Sequence, residues 1–213
     1  MRSVLITVAL AAAVVTAAPQ IPLNYPSVFY INSAAGLATN SNSPILELSL
    51  SSANPDPPKR KTAVVVLSGG EATGTILLTQ HNPPNGEVEI VGTIFNLTTG
   101  IHGFHIHTTG VLDGGCGSTG GHYNPYKREH GSPQNLERHV GDLGNIVADK
   151  DGIARINIVD QLVTLEGPTS VIGRAIVVHD GEDDLGTGGH PSSLTTGNAG
   201  GRLVCGVIGI GEE

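Results

Sequence analysis

Ile101-His102-Gly103-Phe104-His105-Ile106-His107 joins an apolar strand pattern to histidines at alternate positions. Side chains alternate between the two faces of a β-strand, so His105 and His107 point to one side and Phe104 and Ile106 to the other. Two imidazoles fixed on the same face of a strand can bind one metal ion together. The stretch therefore predicts a metal site built on a sheet, with the hydrophobic core on the opposite face.

Seven further runs of apolar and branched residues surround this stretch, and turn-forming Gly, Pro and Asn residues separate them. The chain contains 30 glycines, no tryptophan and 3% aromatic residues, a composition that disfavours a helical bundle. The eight runs predict an all-β fold, an eight-stranded antiparallel barrel or sandwich. They cover residues 63–67, 73–79, 88–94, 101–107, 144–148, 154–159, 175–179 and 203–210.

Two segments are too long to be simple connections between these strands. The first long loop covers residues 108–142, and the second long loop covers residues 180–201. Compact domains rarely contain loops of this length unless the loops have a function. Both loops are therefore expected to carry functional residues over a rigid sheet.

Histidines are concentrated in and around the first long loop. Of the nine histidines in the chain, five lie between Gly103 and Asp142, and His179 ends a later apolar run. Any one of them alone could be a surface or capping residue, but their concentration favours a metal site. The four whose imidazoles suit copper(II) are His105, His107, His122 and His179. A mixed nitrogen and oxygen set suits zinc but is one ligand short unless a histidine is shared by both metals; it comprises His130, His139 and Asp142.

The other three histidines are expected to have no role as ligands. His81 precedes a turn and His190 lies in a glycine-rich segment, so both are expected to be solvated. His102 lies next to the metal-binding stretch and is expected to be packed and hydrogen-bonded.

The N-terminus predicts secretion. Residues 1–18 combine one basic residue, a short apolar run and closing small residues, which is typical of a cleaved signal peptide. The alternative is a membrane anchor, but the run is shorter than the ~20 apolar residues that a spanning helix needs. Residues 19–61 are rich in Ser, Asn, Ala and Pro and are expected to form a flexible extension. Its basic end, residues 59–61, is either a solvated linker, the preferred interpretation, or a processing site or surface contact.

Two covalent modifications are expected in a secreted chain. The only cysteines, Cys116 and Cys205, are expected to form a disulfide, the alternative being two free buried thiols. Asn96 begins an Asn-Leu-Thr sequon and is a candidate glycosylation site. The net charge of −8 makes nucleic acids and anionic membranes poor candidate partners.

Four motifs resemble the copper/zinc superoxide dismutases, and the likeness extends over about residues 62–211. They are Gly103-Phe104-His105-Ile106-His107, Gly121-His122-Tyr123-Asn124-Pro125, Arg138-His139-Val140-Gly141-Asp142-Leu143-Gly144-Asn145 and Gly197-Asn198-Ala199-Gly200-Gly201-Arg202-Leu203-Val204-Cys205-Gly206-Val207-Ile208-Gly209. The resemblance implies a Greek-key barrel of eight strands over residues 62–213, with two functional loops. It also implies a secreted enzyme that converts superoxide to dioxygen and hydrogen peroxide, and a homodimer.

The resemblance also assigns roles to individual residues. It implies that His122 bridges the metals and carries a proton in catalysis, that Arg202 docks superoxide beside copper, and that Asp183 links a copper ligand to a zinc ligand. Thr196 resembles the residue that limits the access channel to small anions. The implied copper ligands are His105, His107, His122 and His179, and the implied zinc ligands are His122, His130, His139 and Asp142. The Cys116–Cys205 disulfide would tie the first long loop to the barrel.

Two departures from the family pattern stand out. Many members carry acidic residues and a lysine in the second long loop to guide the substrate, whereas residues 189–195 here contain neither. The sequence after His107 lacks the apolar residue that often contributes to the dimer interface there, so that interface is in question.

Two other functions compete with catalysis. The first is a non-catalytic extracellular copper/zinc-binding or copper-carrier protein on the same barrel. The second is a structural role for zinc alone, which leaves His105, His107 and His179 unexplained. The complete ligand set together with Arg202 favours the enzyme.

Overall fold

A computed structural model describes residues 59–212. Within this range the chain forms eight strands, with a 3-10 helix at Gly115–Thr119 and one short α-helix, α1, at Ser193–Thr196. The strands are β1 Arg60–Leu67, β2 Thr73–His81, β3 Val88–Phe95, β4 Gly100–His107, β5 Asp142–Ala148, β6 Ala154–Asp160, β7 Ala175–His179 and β8 Arg202–Ile210. The predicted signal peptide and most of the predicted extension lie outside the described residues.

The eight strands close into one antiparallel barrel in the order β1-β2-β3-β6-β5-β4-β7-β8. Strands β4, β5 and β6 follow one another as neighbours, and β7 returns to pair with β4 on its free side, which is a Greek-key connection. The all-β fold class is therefore confirmed, and each of the eight predicted runs lies in one strand. The first strand begins at Arg60, two residues before the expected start of the domain.

The barrel interior is filled by the inward-facing residues of all eight strands. In β4, Phe104 and Ile106 are completely buried among other apolar side chains, as the strand pattern predicted. Strand β2 alternates in the same way, with Ile76 and Leu78 inside and Leu77 outside. Burial of these faces is the main stabilising contribution to such a fold.

The two long loops begin at the ends of neighbouring strands. The first long loop follows β4 and ends in the first residue of β5, and the second long loop joins β7 to β8. Because β4 pairs directly with β7, the roots of both loops are adjacent. No helix among residues 59–212 is long and apolar enough to cross a membrane.

Candidate metal centre

Four histidines converge beside β4. His105 and His107 of β4, His179 of β7 and His122 of the first long loop each offer a ring nitrogen, and these four nitrogens lie within 4.8 Å of one another. Strand pairing explains the convergence, because β4 and β7 are hydrogen-bonded neighbours and His107 forms an isolated bridge with His122. All four side chains are buried. We call this set the four-histidine group.

Hydrogen bonds fix which ring nitrogen is available in this group. Nδ1 of His107 donates to the carbonyl of Gly120 at 2.9 Å, and Nδ1 of His179 donates to that of Gly200 at 3.3 Å. The Nε2 atoms of His107 and His179 then carry lone pairs, and they lie 3.3 Å apart. Two lone pairs this close repel unless a cation is bound between them. In both rings the hydrogen bond is made by Nδ1, the nitrogen that does not face the other ligands. Such hydrogen bonds orient ligand rings in known metal sites.

The second group is centred on Asp142. Its Oδ1 atom lies 2.8 Å from Nδ1 of His122 and 3.0 Å from Nδ1 of both His130 and His139. The other carboxylate oxygen, Oδ2, accepts hydrogen bonds from the backbone N–H groups of His139 at 2.8 Å and Gly131 at 3.2 Å. Three imidazoles and one carboxylate oxygen thus meet at one point, and this donor set suits tetrahedral zinc. We call it the Asp142 group.

His122 belongs to both groups. Its Nδ1 faces Asp142, whereas its Nε2 is buried and has no hydrogen-bond partner among the described residues. Nδ1 of His105 is buried without a partner in the same way, and Nδ1 of His130 is buried beside Oδ1 of Asp142 without the geometry of a hydrogen bond. A buried polar atom without a partner is costly, and a bound metal would satisfy each of these nitrogens. The residues therefore fit one metal in each group.

Asp183 joins the two groups from outside. Its Oδ2 accepts from Nε2 of His105 and its Oδ1 accepts from Nε2 of His130, both at 2.8 Å. The backbone of Asp183 is fixed in turn by the side chain of Asn145, through two hydrogen bonds of 2.8 Å. Asp183 therefore turns Nδ1 of each ring towards its metal position.

Gly197 makes room for this carboxylate. Its φ is +62°, in the left-handed region that favours glycine. A Cβ atom there would lie 1.9 Å from Oδ1 of Asp183 and 2.5 Å from Nε2 of His130. A side chain at this position would displace the link between the two groups.

The four-histidine group is electrically neutral at neutral pH. Burial, reinforced by the neighbouring His122, lowers the pKa of His105 to about 3 and that of His107 to about 2. Burial also lowers the pKa of His179 to about 4 and lowers that of His122. These rings therefore offer unprotonated nitrogens, as metal binding requires.

The Asp142 group is charged. Burial disfavours ionisation of Asp142, but hydrogen bonds from His122, His130 and His139 hold its pKa far below the usual range. For His130, burial is outweighed by the adjacent carboxylates of Asp142 and Asp183, which raise its pKa to about 9. Without metal, a protonated His130 therefore partly balances the buried carboxylates.

Arg202 lies between the first long loop and the four-histidine group. Its Nη1 donates to the carbonyl of Cys116 at 2.6 Å, and its Nη2 donates to that of Gly120, also at 2.6 Å. The positive charge of Arg202 is close enough to lower the pKa of both His107 and His179. A partly buried cation thus stands beside the four-histidine group.

The remaining predicted residues have varied positions. Cys116 and Cys205 form the expected disulfide, which ties the 3-10 helix of the first long loop to β8. Thr196 ends α1 and is exposed, and its hydroxyl donates to the carbonyl of Ser192 rather than to either group of ligands. Asn96 is exposed at the β3–β4 turn, where a glycan could be attached.

The histidines expected to have no ligand role lie outside both groups. His102 is buried, and its ring nitrogens lie 2.8 Å from the carbonyl of His179 and 2.7 Å from that of Thr98. His190 is exposed, and His81 is half-buried beside Glu89. The packed, hydrogen-bonded environment expected for His102 is confirmed.

Sequence reasoning missed two supporting residues, Arg138 and Asn145. Arg138 is buried, pairs with Asp160 at 2.5 Å and donates to the backbone carbonyl of Asp142 at 3.0 Å, so it braces the ligand turn. Asn145 fixes Asp183, as described above. Arg138 and Asn145 flank the ligands in one of the quoted motifs, but only the fold reveals their partners.

The comparisons with known proteins agree with this geometry. A family model described as "Copper/zinc superoxide dismutase (SODC)" matches residues 72–208. The chain belongs to this family. Among solved structures it is similar to that of the clock protein EA4, with 50% sequence identity, a TM-score of 0.67, and coverage of 72% of this chain and 95% of that chain. The buried donor sets of both groups suit the copper and zinc from which the family takes its name.

Zinc binding should release protons at neutral pH. At pH 7 the metal-free His130 is protonated, because its pKa is about 9, and zinc must displace that proton. We expect about one proton to be released per zinc at pH 7 and progressively less as the pH rises through 9. Calorimetric titration of one equivalent of zinc in buffers of different ionisation enthalpy measures this number. Release of the same number of protons at pH 7 and at pH 10 would contradict the protonated state assigned to metal-free His130.

Proposed function

We propose that this protein is a secreted superoxide dismutase, which converts two superoxide anions and two protons to dioxygen and hydrogen peroxide. The observation that carries the proposal is the shared ring of His122, with Nδ1 in the Asp142 group and Nε2 in the four-histidine group. We assign copper to the four-histidine group and zinc to the Asp142 group, with His122 bridging them. Four neutral imidazoles suit copper, and the mixed donor set suits zinc.

Bound copper would supply the redox chemistry, since its two oxidation states can take an electron from one superoxide and give it to the next. Arg202 supplies attraction for the anion. A guanidinium offers a fixed fork of N–H donors as well as charge, which matches a small oxyanion. Backbone carbonyls of the first long loop hold this fork beside His107 and His179.

His122 supplies a place for a proton. Of the four rings in the four-histidine group, only that of His122 directs its other nitrogen, Nδ1, at the Asp142 group. Nε2 can hold a proton and pass it to the peroxide that forms, while zinc in the Asp142 group would keep the ring in place through Nδ1.

The alternative is a non-catalytic extracellular protein that binds or carries copper and zinc. The similar protein EA4 is described as a clock protein, a description that names no catalytic activity. A carrier needs the metal ligands but has no need of a cation fixed beside them. The position of Arg202 therefore favours catalysis.

Replacing one copper ligand should abolish superoxide removal but leave zinc binding intact. Purified protein loaded with copper and zinc is expected to remove superoxide, and His105→Ala is expected to lose this activity while retaining zinc. His190→Ala is the control, because His190 is exposed and outside both groups. Metal content and superoxide removal are measured on the same samples. Tight binding of both metals by an inactive wild-type protein would favour the carrier.

Capture of superoxide should depend weakly on salt. The second long loop contains no lysine or arginine, and Thr195 on α1 is exposed. Few positive charges then act over a distance on the anion, so added salt has little to screen. We expect less than about a twofold fall in rate between low and physiological ionic strength. Thr195→Lys should raise the rate at low salt and steepen the dependence, whereas Thr195→Gln should not. A steep fall in the wild type would contradict this.

We also propose a homodimer, through an apolar surface on β1 and β8. Val66 of β1 is 63% exposed, and Val207 of β8 is also exposed. Val66 lies opposite Val207 if the pairing of Val65 with Ile208 continues. Exposed apolar side chains grouped in this way are typical of an interface.

A charge within this surface should separate the subunits. Val66→Glu is expected to convert a dimer to a monomer, because a carboxylate is poorly accommodated in an apolar interface. Val159→Glu, at a 56% exposed site on β6, is the control. Sedimentation velocity measures the mass of each. A wild type that sediments as a monomer would refute the homodimer.

The secreted location is a further proposal. It is supported by the signal-peptide pattern of residues 1–18 and by the Cys116–Cys205 disulfide, which suits an oxidising compartment. Glycosylation at Asn96 and a channel role for Thr196 remain predictions of the same account.

A further inference from the structure

Thr119 is completely buried where the first long loop meets Arg202 and His107. Its Oγ1 lies 3.0 Å from Nη1 of Arg202, 3.2 Å from Nδ1 of His107 and 2.8 Å from the carbonyl oxygen of Cys116. One hydroxyl therefore touches the anion-docking cation, a copper ligand and the backbone of a disulfide cysteine.

The three contacts use every hydrogen-bonding position of this hydroxyl. A threonine hydroxyl has one hydrogen to donate and two lone pairs to accept with. The Cys116 carbonyl can only accept, so the hydroxyl donates to it. Arg202 can only donate, and the single Nδ1 hydrogen of His107 is shared between the Gly120 carbonyl at 2.9 Å and this hydroxyl at 3.2 Å. Both lone pairs are thus filled, one by Arg202 and one by His107.

This hydroxyl also restricts the orientation of Arg202. The hydrogens of Nη1 are taken up by Thr119 and the carbonyls of Cys116 and Gly117, and one hydrogen of Nη2 by the Gly120 carbonyl. Among residues 59–212, no acceptor is found for the Nε–H group. The Nε–H and the second Nη2 hydrogen can form a fork for an anion.

We propose that Thr119 is a positioning residue that fixes the Arg202 fork relative to His107. The hydroxyl sets where a small anion docks with respect to the copper position. This inference rests on the proposed function, since it takes Arg202 as the docking group. Thr119 itself would contact neither substrate nor metal, and it would act only through Arg202 and His107.

Azide affinity of the copper-loaded and zinc-loaded protein tests the proposal without requiring turnover. Azide binding is followed by the change in visible absorption of copper, and superoxide removal and metal content are measured in parallel. Thr119→Val and Thr119→Ala both remove the hydroxyl and are expected to weaken azide binding about tenfold, the effect of losing one hydrogen bond to a charged group. Thr119→Ser keeps the hydroxyl and should stay within about twofold of the wild type.

Thr109→Val is the matched control. The hydroxyl of Thr109 donates to the carbonyl of Ser118, the residue before Thr119, at 3.1 Å and makes no hydrogen bond to Arg202 or His107. Its azide affinity should match the wild type. The proposal is overturned if Thr119→Val and Thr119→Ala bind azide like the wild type, or if Thr109→Val weakens azide equally. A wild type without dismutase activity whose Thr119→Val still binds azide tenfold more weakly would refute the proposed function and support the positioning role.

Discussion

The imidazole of His122 is the constraint on which the arrangement depends. A five-membered ring is rigid, so its two nitrogens hold the four-histidine group and the Asp142 group at a fixed separation. One group comes largely from barrel strands, through His105, His107 and His179, and the other largely from the first long loop. The ring therefore joins a part of the molecule fixed by strand pairing to a part whose position needs separate support.

Several contacts supply that support. The Cys116–Cys205 disulfide and the hydrogen bonds of Arg202 attach the first long loop to β8. Arg138 and Asp160 form a buried ion pair behind the ligand turn. Buried ion pairs contribute little net stability because desolvation offsets their attraction. Their value here is geometric, since Arg138 also holds the backbone around Asp142, whose side chain three imidazoles share.

The sequence predicted the fold and the ligand groups because both have local signatures. Strands show alternating apolar residues bounded by turn-forming residues. Metal ligands are a restricted set of residue types at short spacing. The His105-x-His107 pair follows from the period of a strand alone. The supporting contacts have no such signature. Nothing local indicates that Arg138 pairs with Asp160, or that the hydroxyl of Thr119 meets Arg202, because these contacts depend on how the loops close over the barrel. Gly197 shows the same limit, since the need for glycine appears only when Asp183 lies against it.

The central claim is that one histidine ring connects two different metals. Crystals of the protein loaded with copper and zinc, measured by anomalous scattering at both absorption edges, test it most directly. The account predicts a copper peak within the four-histidine group and a zinc peak within the Asp142 group, about 6 Å apart on either side of His122, since each metal–nitrogen bond is about 2 Å long. A single metal position, or two positions that His122 does not separate, would contradict it.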